Sequence, residues 1–204
     1  MLDNFPLFAG LIAATLHVIT GPDHLAAVTP IAVDAEAKSW RVGFVWGLGN
    51  LMGMLLIGLL FVGFKEQLPI ELISAKSELL VGVVLIFLGI FSIYKVLKRR
   101  KATLTEGRKQ NVISATSIGF LHGLAGVAHF IILLPVLGFE TQAESLQYIL
   151  GFAIGTVGIM TLYTVALGWI KKIKPKSITY MKSLQTVAGV FALVIGVYWV
   201  IISA

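Results

Sequence analysis

The sequence predicts an all-α polytopic membrane protein with six transmembrane helices arranged as two inverted three-helix repeats. Three observations carry this expectation. The 204 residues are 57% hydrophobic and only 13% charged, where a soluble domain averages about 45–50% apolar and about 25% charged; the mean hydropathy is +0.93. The apolar residues fall in runs of about 20, the length of a helix across hydrocarbon and about twice that of a barrel strand. Finally, the second half of the chain repeats polar landmarks of the first. Cysteine is absent, which excludes disulfides, thiolate metal sites and iron–sulfur clusters and leaves His, Asp, Glu and neutral groups for any metal chemistry.

The first span is expected over residues 5–33 and reads FAGLIAATLHVITGPDHLAAVTPIAV from Phe8. No Lys or Arg precedes it, and Asp3 stands where a signal peptide would carry positive charge, so it is expected to be retained. As one straight helix it would run about 44 Å, against about 30 Å of hydrocarbon. It must tilt strongly or break. Thr20-Gly21-Pro22 supplies the break, because Pro22 has no N–H to donate, disfavours the α conformation at Gly21 and fits the first turn of a new helix. His17 then falls about 18 Å along the first half-helix, near the midplane, and Asp23 and His24 open the second.

The remaining spans are expected over 42–64, 79–96, 112–139, 146–170 and 184–202. The second carries Asn50 within WGLGNLMG, its clearest polar group. An offset of 105 residues superposes His17 on His122, Gly21 on Gly126, His24 on His129 and Pro30 on Pro135; an offset of 107 superposes Gly82 on Gly189 and Gly89 on Gly196. These four histidines are the chain's whole complement. The repeats are assigned to about 5–97 and 112–203, joined by a basic linker at about 98–111, and an odd number of spans per repeat inverts one relative to the other. All Lys and Arg except Lys65 and Lys76, out of 16, lie at 34–41, 95–111 and 171–183. The positive-inside rule makes those loops cytoplasmic and both termini extracytoplasmic. The net charge of +6 thus reports orientation in a cell membrane; nucleic acid is not an expected partner. The competing reading is that the run from Lys98 to Lys101 binds nucleic acid or acidic lipid.

One carboxylate and a pair of imidazoles inside the first span call for an explanation. A cation supplies one: imidazole suits first-row transition metals, a carboxylate adds charge, and carbonyls released by the break can complete a shell. The bland alternative is that these histidines bond helix to helix. The fourth span repeats the His spacing but has Val127 and Ala128 in place of Pro22 and Asp23, so His122 and His129 are candidate ligands, relay groups or packing groups. Asn50 is a weak candidate ligand or an interhelical hydrogen-bonding group. Gly47, Gly53, Gly151 and Gly155 are expected to serve close packing.

At HVITGPDH, WGLGN and HGLAG the sequence resembles the nickel/cobalt transporter superfamily, nearest its short UreH-type urease accessory branch, over essentially the whole chain. The resemblance implies that His17, Asp23 and His24 select and carry a metal and that His122 belongs to a second, weaker motif. The chain departs at Leu48-Gly49-Asn50, where that family commonly reads LGH, and at His129, where many relatives carry a small residue; His129 is then the imidazole available to replace the missing one. The expected function is a permease for a divalent transition metal, Ni2+ or Co2+, with no permanently bound cofactor. Its partners are the metal ion and the bilayer, and an oligomer is compatible with the sequence. The alternative is a membrane haem or metal redox protein using His17 and His122 as ligands. The absence of HExxH, GxSxG and GxxxxGK[ST] argues against intramembrane hydrolysis and direct ATP drive, so no enzyme activity is expected.

Overall fold

The computed structural model describes residues 5–35, 39–64, 70–98, 107–125, 139–173 and 178–202, and every regular element among them is helical. There are seven: α1 (Phe5–Thr20), α2 (Pro22–Asp34), α3 (Ser39–Phe64), α4 (Ile70–Lys98), α5 (Gly107–Ala125), α6 (Gln142–Lys172) and α7 (Ile178–Ile202). The first expected span is two helices, bent by 72° at Gly21, an extended residue (φ −84°, ψ 94°) followed by Pro22 in the first turn of α2. The bend follows from local chemistry: no helical hydrogen bond can be donated by Pro22, and the chain restarts where proline is preorganised to start it.

Segments Leu79–Lys98, Gln142–Lys172 and Thr179–Ile202 are each long and apolar enough to cross a membrane, and the bent pair passes only when its two helices are taken together, as a broken span or a re-entrant loop. Helix α4 begins well before the expected boundary at residue 79, and α5 takes up residues 107–111 of the expected linker. The apolar part of α5 is the short segment Val112–Leu124; residues 126–138 of the expected fourth span lie outside the described residues. Helix α6 starts with a capping box, Thr141 N–H donating to Glu144 Oε2 at 3.0 Å and Glu144 N–H to Thr141 Oγ1 at 3.2 Å, which satisfies two otherwise unpaired donors. At its other end the buried Lys171 ammonium donates to the Ala35 carbonyl just beyond α2.

The short α2 is the centre of the bundle and touches all six other helices. Small residues permit this: Ala26, Ala27, Val28 and Ala32 are at most 1% exposed. Around it, α1 packs chiefly on α6, α3 on α5 and α4 on α7. These approaches are close because glycines line them. A Cβ on Gly49, Gly53, Gly119 or Gly123 would collide with the facing backbone between α3 and α5, and one on Gly151 would meet the Leu7 carbonyl on α1, as expected where small residues let membrane helices approach. Polarity is distributed opposite to that of a soluble protein. Large apolar side chains such as Ile12, Phe87, Leu162 and Ile201 are more than half exposed, while Asp23, His24, Asn50, His122, Thr156 and Gln185 are buried. Only a hydrocarbon surround makes that arrangement favourable; the chain is a membrane protein.

Candidate metal centre

The break at Gly21 builds the site. Gly21 N–H donates to the His17 carbonyl at 2.9 Å, closing α1, and α2 then starts with Asp23 and His24 facing inward. Asp23 is 9%, His24 2% and His122 5% exposed. The Asp23 carboxylate spans two imidazoles: Oδ1 lies 3.1 Å from His24 Nδ1 and Oδ2 3.2 Å from His122 Nε2 on α5. Among the described residues these three form the one convergent group of His, Asp or Glu ligand atoms, all within 4.8 Å of one another. The spacing suits a first-row ion. Ligand atoms about 2.1 Å from a metal stand about 3.0 Å apart at adjacent octahedral corners and about 3.4 Å apart at tetrahedral ones; the two carboxylate–imidazole separations fall between, and equally suit N–H···O hydrogen bonds.

His17, half-buried, stands edge-on against His24 with ring centroids 4.6 Å apart, and His24 stands in turn 4.4 Å from His122. The three imidazoles and one carboxylate are therefore contiguous. This order bears on the haem alternative, because the His24 ring lies against both His17 and His122. Trp46 of α3 closes another side, its ring 5.7 Å from His24 and 5.4 Å from His122. Sequence reasoning passed over Trp46; its only signal was its place one turn before Asn50 on the same helix.

The chain is similar to the urease accessory protein UreH of Bacillus sp. (strain TB-90). The two are 28% identical, over 95% of this chain and 89% of UreH, coverage that leaves no room to omit either His-bearing half. Two chloroplast proteins of Arabidopsis thaliana, FOR GROWTH AND FERTILITY 2 and FOR GROWTH AND FERTILITY 1, are 32% and 30% identical over 79% of this chain. Those matches cover 46% and 49% of the plant proteins, so the chain spans about half the length of these curated relatives. No family model matches the chain, and no solved structure does.

Two further residues singled out in the sequence remain. Asn50 is fully buried on α3; its amide nitrogen donates to Met54 Sδ at 3.6 Å, and its Oδ1 accepts no hydrogen bond among the described residues. Leaving a buried acceptor unsatisfied costs about 1–3 kcal/mol. His129 lies outside the described residues, as does its neighbour Gly126.

Proposed function

We propose that the chain is a membrane permease for a divalent transition-metal cation, nickel or cobalt, with His17, Asp23, His24 and His122 as the transport site, Asn50 as an auxiliary oxygen donor and His129 as a further candidate imidazole. The observation that carries this reading is the buried Asp23 carboxylate bridging imidazoles from two different helices. A hydrogen-bonding role alone does not call for an ionisable acid in a bilayer, where such groups mark ion pathways. Magnesium and calcium prefer all-oxygen shells, whereas imidazole with one carboxylate suits nickel, cobalt or zinc. The likeness to a urease accessory protein favours nickel.

The proposed architecture is six spans in two inverted repeats, 5–97 and 112–203, with the site between them near the midplane. The helix partners support it. Under the sequence offset α1 corresponds to α5, α3 to α6 and α4 to α7, and exchanging these converts the α1–α6 contact into α5–α3 and returns α4–α7 to itself.

The deciding experiment is metal-dependent unfolding of the purified protein in detergent. Ni2+ at about 100 times its dissociation constant should stabilise the fold by about 2.7 kcal/mol, read as a higher unfolding temperature. Imidazoles bind metal only when neutral, so the rise should be present at pH 7.5. It should vanish in His24→Ala and should not be produced by Mg2+. A rise that persists in His24→Ala, or that Mg2+ reproduces, would remove the imidazole site from consideration.

Orientation has its own test. The chain lacks cysteine, so Arg100→Cys and Lys174→Cys provide unique thiols. Both should react with an impermeant reagent only in inside-out vesicles; reaction in intact cells would reverse the proposed topology.

A further inference from the structure

A cavity of about 240 Å³ lies between α2, α4, α5 and α7, lined by Ser92, Lys95, Ser114, Gln185, Pro30 and Ile118 among others. The ends of these helices nearest to it are the C-terminal ends of α2 and α4 and the N-terminal end of α7, which adjoin the basic loops, while α5 contributes its middle through Ser114 and Ile118. It therefore sits between the His/Asp centre and the basic face. Its inner boundary is Ile118, which also lines a second, much smaller cavity of about 10 Å³ whose wall includes His122. That volume holds about one water. The two cavities share Ile118, and the smaller one reaches one of the site imidazoles.

The wall is mixed, with Ser92, Ser114 and Gln185 beside Ile31, Phe87 and Phe91. Ser92 is buried and donates to the Gln185 carbonyl at 3.2 Å, and Lys95 extends over the Phe91 ring with its ammonium 5.2 Å from the centroid. An ammonium near a membrane helix end is tolerable where it reaches water. We propose that this cavity is the hydrated vestibule through which a metal ion passes between the His/Asp centre and the basic-loop face, with Ile118 closing its inner end. The proposal rests on the permease reading above and adds the route and the gate.

The test uses full-length protein in membranes. Ser114→Cys places a thiol on the cavity wall, whereas Ile113→Cys places one on the outer surface of the same turn, where Ile113 is 58% exposed to lipid. A positively charged methanethiosulfonate reagent should modify Ser114→Cys from the basic-loop side at least about tenfold faster than Ile113→Cys, because the reactive thiolate forms only where water reaches it. Ile118→Trp should leave that labelling and the nickel-induced rise in unfolding temperature intact while transport is lost. Labelling of Ser114→Cys no faster than Ile113→Cys, or only from the opposite face, overturns the vestibule. Transport by Ile118→Trp at the wild-type rate overturns the gate. Both readings are separate from the nickel-induced rise in the unsubstituted protein, so failure of the route and failure of the metal site are told apart.

Discussion

Asp23→Asn is expected to abolish metal transport and the nickel-induced rise in unfolding temperature while the protein still reaches the membrane in normal amounts. Asp23 is the sole acid within the six apolar segments, and its two oxygens face His24 and His122 at 3.1 and 3.2 Å. Asparagine keeps the shape and can still pair with both rings, so the metal-free fold should change little. The charge is what is lost. A unit pair at 4 Å with an effective dielectric of about 20 interacts by about 4 kcal/mol, and at about 1.4 kcal/mol per decade this is a loss of roughly three orders of magnitude in affinity. Uptake assays and metal titrations of the purified variant would measure it. Wild-type transport in Asp23→Asn would show that the carboxylate merely complements the start of α2.

Gly21→Ala should weaken metal binding by about 10- to 100-fold, the effect usual for disturbing the groups that orient ligands, with little or no loss of fold stability. The backbone at Gly21, φ −84° and ψ 94°, is open to any residue, so conformational strain is not the cause. Space is: an added Cβ would stand 2.7 Å from His24 Nδ1 and 3.0 Å from both Asp23 Oδ1 and the His17 carbonyl. The imidazole and carboxylate would have to separate. Alanine also restricts the unfolded chain, which tends to stabilise where the conformation is allowed. Opposite signs for stability and affinity therefore distinguish a ligand-positioning glycine from a packing one, and unchanged nickel affinity in Gly21→Ala would assign it to packing.

Much of this site is legible in one dimension because it is local. The break needs only Gly21-Pro22, and His17, Asp23 and His24 fall within eight residues; the facing His122 enters through the repeat. What could not be read is which helix supplies each wall. Trp46 touches two imidazoles because α3 lies against α5, and that pairing depends on glycines whose partners are set in three dimensions. The helix boundaries show a second limit. Hydropathy marks where lipid begins, whereas backbone hydrogen bonding continues past it, so α4 reaches back to Ile70 through Glu71, Lys76 and Glu78. The central place of α2 was also hidden, since a short segment with Asp, His, Thr and two prolines reads as the edge of a span rather than the middle of a bundle.

The 72° bend has a consequence for how long an ion stays. Because α2 starts at Pro22, the amide end of that helix, equivalent to roughly +0.5 elementary charge, lies beside the same carboxylate that would hold the cation. Part of the anionic charge of Asp23 is spent against this field before any metal arrives. An unbroken helix would place its midpoint, nearly neutral, at that position and would leave the carboxylate at full strength. In the proposed permease the break would thus shorten residence. In a storage protein that would be a defect, but turnover requires that the step out of the site be fast as well as the step in, and a ligand set this rich in imidazole would otherwise retain its ion.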